Sequence, residues 1–336
     1  MWKWKLQNYP FRYKLIISLV ALMGAFLLAV VVGAANTSIQ DVLAAFGIGE
    51  ATSASVILQE IRIPREVAAA LVGAALGVSG AIIQGMTRNP LADPGLLGLT
   101  AGANAALAIG LAAFPSLPYI GVMVACFIGA AVGAALVFGL SSFHPEGFST
   151  IRIVLAGAAI SAFLYAIAEG VGIYFKLSQQ VSMWTAGGMI GTTWTQVGIM
   201  VPFVVVGGIV AILYARHLTI LSLSEEVAVG LGQKTLQVKI IMFVLVVMLT
   251  GASVALVGNL AFFGLMVPHL VRPLVGTDYR FVLPMSLIVG AMFMLFADTV
   301  ARTINAPYET PVASVVAILG LPFFLFLVRR SGGAFR

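Results

Sequence analysis

Long apolar runs, interrupted by short polar or proline-rich stretches, dominate the chain. A helix needs about 20 apolar residues to cross a ~30 Å hydrocarbon core. By that measure spans are predicted near 14–35, 66–87, 95–114, 117–141, 151–175, 195–215, 237–257, 281–304 and 312–329, with a short piece at 264–274. A transmembrane barrel would instead need segments of about ten residues alternating apolar and polar, and the runs do not alternate. The predicted fold class is all-α: one polytopic membrane domain over 1–336, of about ten helices.

Composition strengthens this reading. Of 336 residues 61% are hydrophobic and 9% charged, and mean hydropathy is +1.08. A soluble domain carries roughly 25% charged residues. The 36 glycines lie largely inside the apolar runs, which suits close helix packing rather than flexible linkers. The first span has signal-peptide flanks, with Lys3, Lys5, Arg12 and Lys14 before it and Gly33-Ala34-Ala35 after it. Its apolar stretch exceeds the ~7–15 residues of a signal core, so it is read as an uncleaved helix.

One stretch, Arg62 to Gly98, concentrates the polar signals. Arg62 and Arg65 bracket Pro64. An apolar helix follows in which Ala69, Gly73, Gly77, Ala81 and Gly85 recur every fourth residue, forming a ridge for close helix approach. It ends in the polar turn Asn89-Pro90-Leu91-Ala92-Asp93-Pro94-Gly95.

Charge predicts orientation. With the N-terminus inside and alternating spans, fourteen of the 18 basic residues fall inside. Arg62, Arg65, Lys176 and Arg302 fall outside or at outer helix ends. The positive-inside rule supports this arrangement, with both termini cytoplasmic. It also explains the net charge of +6 without nucleic acid, because the basic residues flank spans and form no stripe interleaved with aromatics.

Little in the chain suggests chemistry. No GxxxxGK[ST] loop is present; Gly232-Gln233-Lys234-Thr235 lacks the Gly-Lys pair and follows no strand. Cys126 lies in an apolar run, as a small packing residue does. His144, His217 and His269 are far apart and show no metal-ligand spacing, so no resident metal and no cofactor are predicted. Ion-coupled carriers place paired ionisable groups deep in their spans. Here Glu169 falls ~25 Å along its helix from Arg152, near the outer end. It reads as an interfacial or pathway-lining acid. Asp298 and Arg302, one turn apart, are able to satisfy each other.

The largest inside loop is 216–236. Ser222-Leu223-Ser224-Glu225-Glu226 carries helix-start signals: serine caps and acids in the first turn. Val227, Val229 and Leu231 give it apolar content, and Gly230 and Gly232 end it. The predicted helix over 222–232 is either a handle for a cytoplasmic partner or an ordinary connector.

The residues resemble a known family. Arg62-Ile-Pro-Arg65, Gly73-Ala-Ala-Leu-Gly77-Val-Ser-Gly80, Gln84 and Asn89-Pro-Leu-Ala-Asp-Pro-Gly-Leu-Leu-Gly98 are similar to the signature of FecCD-type permeases. Those are the membrane subunits of bacterial ABC importers for iron-siderophores, haem and cobalamin. The likeness continues through Met183-Trp184, Gly187-Gly188, Trp194, the Glu226-to-Gly232 loop and Phe263-Gly-Leu-Met-Val-Pro-His269 with Arg272. It ends with Gly276-Thr-Asp-Tyr-Arg280, Ala297-Asp298, Ala301-Arg302, Glu309-Thr-Pro311 and Leu319-Gly320-Leu-Pro322-Phe323. It covers the chain from first span to last. One departure is Ala313, where the family usually has Gly.

The resemblance implies partners and roles. A second permease subunit, identical or related, pairs with this one. Two cytoplasmic ABC ATPase subunits dock beneath, and an extracytoplasmic solute-binding protein docks above. Arg62, Arg65 and Arg302 match the positions that meet acids on that protein. Ser224, Glu225, Glu226, Val229, Gly230, Leu231 and Gly232 match the coupling helix seated in the ATPase. Phe143, His144 and Pro145 fall near an inner gate, and Glu169 on a span lining the pathway. The implied activity is inward translocation of an iron-siderophore or related chelate by alternating access, in a bacterial cell membrane, with ATP hydrolysis in a partner chain. The competing reading is an ion-coupled secondary transporter acting alone. A membrane-embedded enzyme would need a catalytic constellation that the sequence does not offer.

Overall fold

The computed structural model describes residues 9–32, 38–142, 150–306 and 308–331. Among these, every regular element is helical. Seven helices are long and apolar enough to cross a membrane: Phe11–Val31, Ser53–Thr87, Tyr119–Leu140, Leu155–Tyr174, Trp194–Leu213, Thr235–Val257 and Tyr279–Thr303. Three shorter apolar helices lie at Leu99–Ala113, Phe263–Val275 and Val312–Leu327.

In chain order α1 is Phe11–Val31, α2 Ile39–Ala45, α3 Ser53–Ile57 and α4 Ile63–Thr87. Then follow α5 Leu99–Ala113, α6 Tyr119–Ser142, α7 Thr150–Tyr174, α8 Ser178–Ala186 and α9 Trp194–Leu213. The series closes with α10 Ala215–Leu223, α11 Glu225–Gly230, α12 Thr235–Val257, α13 Phe263–Val275, α14 Tyr279–Thr303 and α15 Val312–Ser331.

The bundle is built around α4. Its hydrophobic window is 83% buried, against 11% for α1. Neighbours α14, α12, α13, α9 and α10 surround it. The small-residue ridge explains the closeness. A methyl on Gly73 would sit 2.2 Å from the carbonyl oxygen of Gly290, and one on Gly77 2.6 Å from that of Ser286. Helix α14 therefore lies backbone to backbone on α4. Ala69 and Ala81 are fully buried on the same ridge, and Gly85 faces Leu218 and Tyr279. A second seam joins α5 to α6, where Gly102 meets Gly129 and Gly133 meets Gly98.

The turn after α4 has a definite structural job. Arg88, at φ 51°, ends the helix. Asp93 then accepts from Gly95 N at 2.7 Å with one carboxylate oxygen and from Leu265 N at 2.9 Å with the other. A buried carboxylate thus satisfies an orphan amide in the first turn of α13. Gln84 Nε2 donates to the carbonyls of Ala92 and Leu265 across the same junction.

The sequence pattern predicts the short helices near 264–274 and 222–232 but not α2, α3 or α8. Helix α8 is pinned on α12: Trp184 Nε1 donates to Val254 O at 3.2 Å, and Gly188 N to Val257 O at 3.1 Å. Ala313 faces Gly187 there, 2.8 Å from where a methyl on that glycine would lie. The 222–232 prediction divides. Ser222 ends up inside α10, and Ser224, extended at φ −163°, caps the separate α11.

Candidate functional site

The three arginines expected at outer helix ends gather at one end of the bundle, where α1 stops, α4 starts and α14 stops. Sequence places Arg62 and Arg65 one turn apart, and a π-helical turn, Leu58–Arg62, sets their approach. Helices α2 and α3 form a small cap beside them. Ser38 and Asp41 make a capping box, and Thr52 Oγ1 donates to Asp41 at 2.8 Å. These hydrogen bonds, the one from Ser38 foremost, hold the exposed Asp41 carboxyl below its ordinary pKa.

The arginines are paired across the fold, well beyond the Asp298–Arg302 contact that spacing predicts. Arg65 Nε and Nη2 fork onto Asp298 at 2.9–3.2 Å, and its Nη1 donates to both oxygens of Glu309 at 2.8 Å. Arg302 Nε donates to the other side of Asp298 at 2.9 Å, and its Nη2 pairs with Glu66. Arg62 Nη1 donates to Val30 O at 2.9 Å, and Arg302 Nη2 to Ala29 O at 3.2 Å. Two guanidinium groups thus satisfy the terminal carbonyls of α1, whose last turn carries no basic residue. Asp298 and Glu66 are wholly buried, and Arg62, Arg65 and Arg302 nearly so. The physical reason is plain. Charges at a packed helix junction leave water only when paired and hydrogen-bonded.

Sequence reasoning found Asp298–Arg302 but missed Glu66 and Glu309. Glu66 carried a signal, since it stands one turn after Arg62. Glu309 pairs across 244 residues, and nothing local points to it.

At the opposite end, α11 presents an apolar face. Val227, Val229 and Leu231 are exposed, as are Leu223 and Leu236 beside them. Ser224 Oγ accepts from Val227 N, and Glu225 pairs with Lys239 at 2.6 Å. Helix α10 is tied to the start of α14: Thr219 Oγ1 donates to Asp278 at 3.0 Å and accepts from Tyr279 N at 3.0 Å. Hydrogen bonding from the Arg280 side chain is the main cause of a lowered Asp278 pKa.

Glu169 is exposed on α7, on a face shared with Phe163, Ala166 and Ile173. Phe143, His144 and Pro145 lie outside the described residues. Among the described residues no group of three or more His, Cys, Asp or Glu side chains is placed to hold a metal.

A bundle of long apolar helices, with charge confined to its ends and to paired clusters, defines a multi-pass membrane transport protein. More closely, the chain belongs to the FecCD transport family, whose model matches residues 20–330. It is 43% identical over 331 residues to the iron(3+)-hydroxamate import system permease protein FhuB of Bacillus subtilis (strain 168), covering 98% of this chain and 86% of that one. It is 38% identical over 316 residues to the Fe(3+)-citrate import system permease protein YfmD of the same organism, covering 94% of each. Against the hemin transport system permease protein HmuU of Yersinia pestis the figures are 41% over 280 residues, 81% and 82%. In structure it is similar to a metal-chelate type ABC transporter solved in an inward-facing conformation. The TM-score is 0.80 and the identity 26%, over 95% of this chain and 99% of that one. Proteins of this kind are permease subunits rather than enzymes, and ATP hydrolysis resides in a separate subunit.

Proposed function

We propose that this chain is the membrane subunit of an importer for a ferric siderophore or related metal chelate, driven by a separate ATPase. Two copies, or this chain and a related one, enclose the pathway, with both termini cytoplasmic. One observation carries the pairing. Helix α7 leaves most of its length uncovered, with Leu155, Phe163 and Ile173 exposed and the Glu169 carboxylate exposed among them. A carboxylate on a lipid-facing surface is costly. A second permease and the aqueous path between the two give that face an environment it tolerates. Glu169 then lines the pathway.

The ends of the bundle take different partners. Ser224, Glu225, Glu226, Val229, Gly230, Leu231 and Gly232 seat in the ATPase, with the exposed apolar side chains as the contact. Closure of the ATPase dimer pushes α10 and α11, and the Thr219–Asp278 link carries the push to α14. Helix α14 reaches the arginine cluster at the far end, where Arg62, Arg65 and Arg302 receive an extracytoplasmic binding protein. Arginine suits that task, because its fork is always charged and matches a carboxylate. The runner-up, an ion-coupled carrier, is disfavoured because Asp298, Glu66 and the arginines neutralise one another at a bundle end and leave no mid-span relay among the described residues.

The test is reconstitution. The purified chain should retain an ABC ATPase subunit, and replacing Val229 and Leu231 by Asp should abolish stimulated ATP hydrolysis while the chain still reaches the membrane. Undiminished stimulation in that variant makes α11 only a connector.

A further inference from the structure

The docking reading raises a difficulty that the geometry answers. Arg65 is already satisfied, with Asp298 on one edge and Glu309 on the other. The two carboxylates are not equivalent. Asp298 is wholly buried, sits on a packed helix and is shared with Arg302. Removing it would strand two guanidinium groups. The Glu309 side chain is about one-third exposed and lies between α14 and α15, beside the well-exposed Tyr308. It touches only Nη1, the end of the guanidinium opposite the Asp298 bond.

We propose that Glu309 is an internal stand-in for a partner's acid: it occupies Arg65 while the permease is undocked and yields that position to a carboxylate of the docking protein. The proposal rests on the docking reading of Arg65. The exchange is one acid for another, so Arg65 stays neutralised throughout, and the pair that breaks is the one whose acid already meets water. The released Glu309 reaches water directly. A neutral or basic side chain offers Arg65 nothing in return and leaves Glu309 in place. The contact therefore selects for an acidic partner surface as well as waiting for it. Glu66, buried against Arg302, takes no part.

The experiment uses the full permease with its ATPase subunits in lipid nanodiscs. The probe is the purified soluble form of a solute-binding protein specific for ferric hydroxamates. Its Kd is measured by biolayer interferometry across a salt series for the wild type, Glu309→Gln and Glu309→Asp. The inference expects Glu309→Gln to tighten Kd by about two- to fivefold at low salt, the scale of one modest ion pair. The gain should fade at high salt, and Glu309→Asp should stay near the wild type. A salt-dependent wild-type Kd with Glu309→Gln unchanged or weaker overturns the stand-in and leaves docking intact. A wild-type Kd insensitive to salt overturns the docking reading itself, and the stand-in with it. Equal size-exclusion profiles in the three chains show that all are folded.

Discussion

Asp298 accepts from Arg65 of α4 and from Arg302 of its own helix, so one buried carboxylate locks the start of α4 to the end of α14. Breaking such a pair by removing one partner is far costlier than its net contribution, because the other charges stay buried. Replacing Asp298 by Asn should lower stability by about 3–5 kcal/mol. Thermal unfolding in detergent, followed by size exclusion, measures it; a melting temperature within a degree or two of the wild type would contradict the locking role.

Another glycine of α4, beside the ridge and packed on α13, makes a sharper steric prediction. A methyl at Gly80 would sit 1.9 Å from the carbonyl oxygen of Gly264, a backbone atom that cannot step aside. Replacing Gly80 by Ala should therefore cost at least the ~1–3 kcal/mol of core overpacking and reduce folded yield. Gly198, inside α9 with open space around it, is the control. There alanine should be neutral or stabilising by about 0.5–1 kcal/mol. Equal loss at both sites would contradict the packing account, because alanine improves helix propensity at each and only Gly80 lacks the room.

Asp278 predicts a local pH response. Its folded pKa is lowered, chiefly by hydrogen bonding from Arg280. A lowered carboxyl contributes stability that is present above its unfolded value of about 4 and is lost as pH falls through the folded value. The α14 start should thus be firm at neutral pH and loosen only in acid. Replacing Asp278 by Ala should loosen it at pH 7, by the ~1 kcal/mol of a lost cap. Amide exchange at Arg280, which donates to Asp278 at 2.9 Å, is the readout.

Much of this structure was legible because lipid imposes few solutions. The α4 ridge showed in a four-residue repeat of small residues, and Ser224 announced its cap with the acids that follow it. What stayed hidden was either short or distant. Helices α2, α3 and α8 lack a span's length, and their stability comes from capping and from contacts with α1, α7 and α12. Spacing shows neighbours one turn away and so found Asp298 beside Arg302, whereas Glu309 and Glu66 reach Arg65 and Arg302 only through the tertiary fold. The Asn89–Gly95 stretch was legible as a polar turn, but the partner of its aspartate was not. That aspartate caps α13, 172 residues away.

The central claim, a permease driven by a partner's ATP hydrolysis, is tested most directly by the energy source of uptake. Cells lacking their own copy and complemented with this chain would be given a radiolabelled ferric hydroxamate siderophore. ATP would be depleted with the ion gradient intact, and in a parallel sample the gradient collapsed with ATP maintained. The account predicts that uptake stops in the first sample and continues in the second. Uptake that survives ATP depletion and stops with the gradient would contradict it.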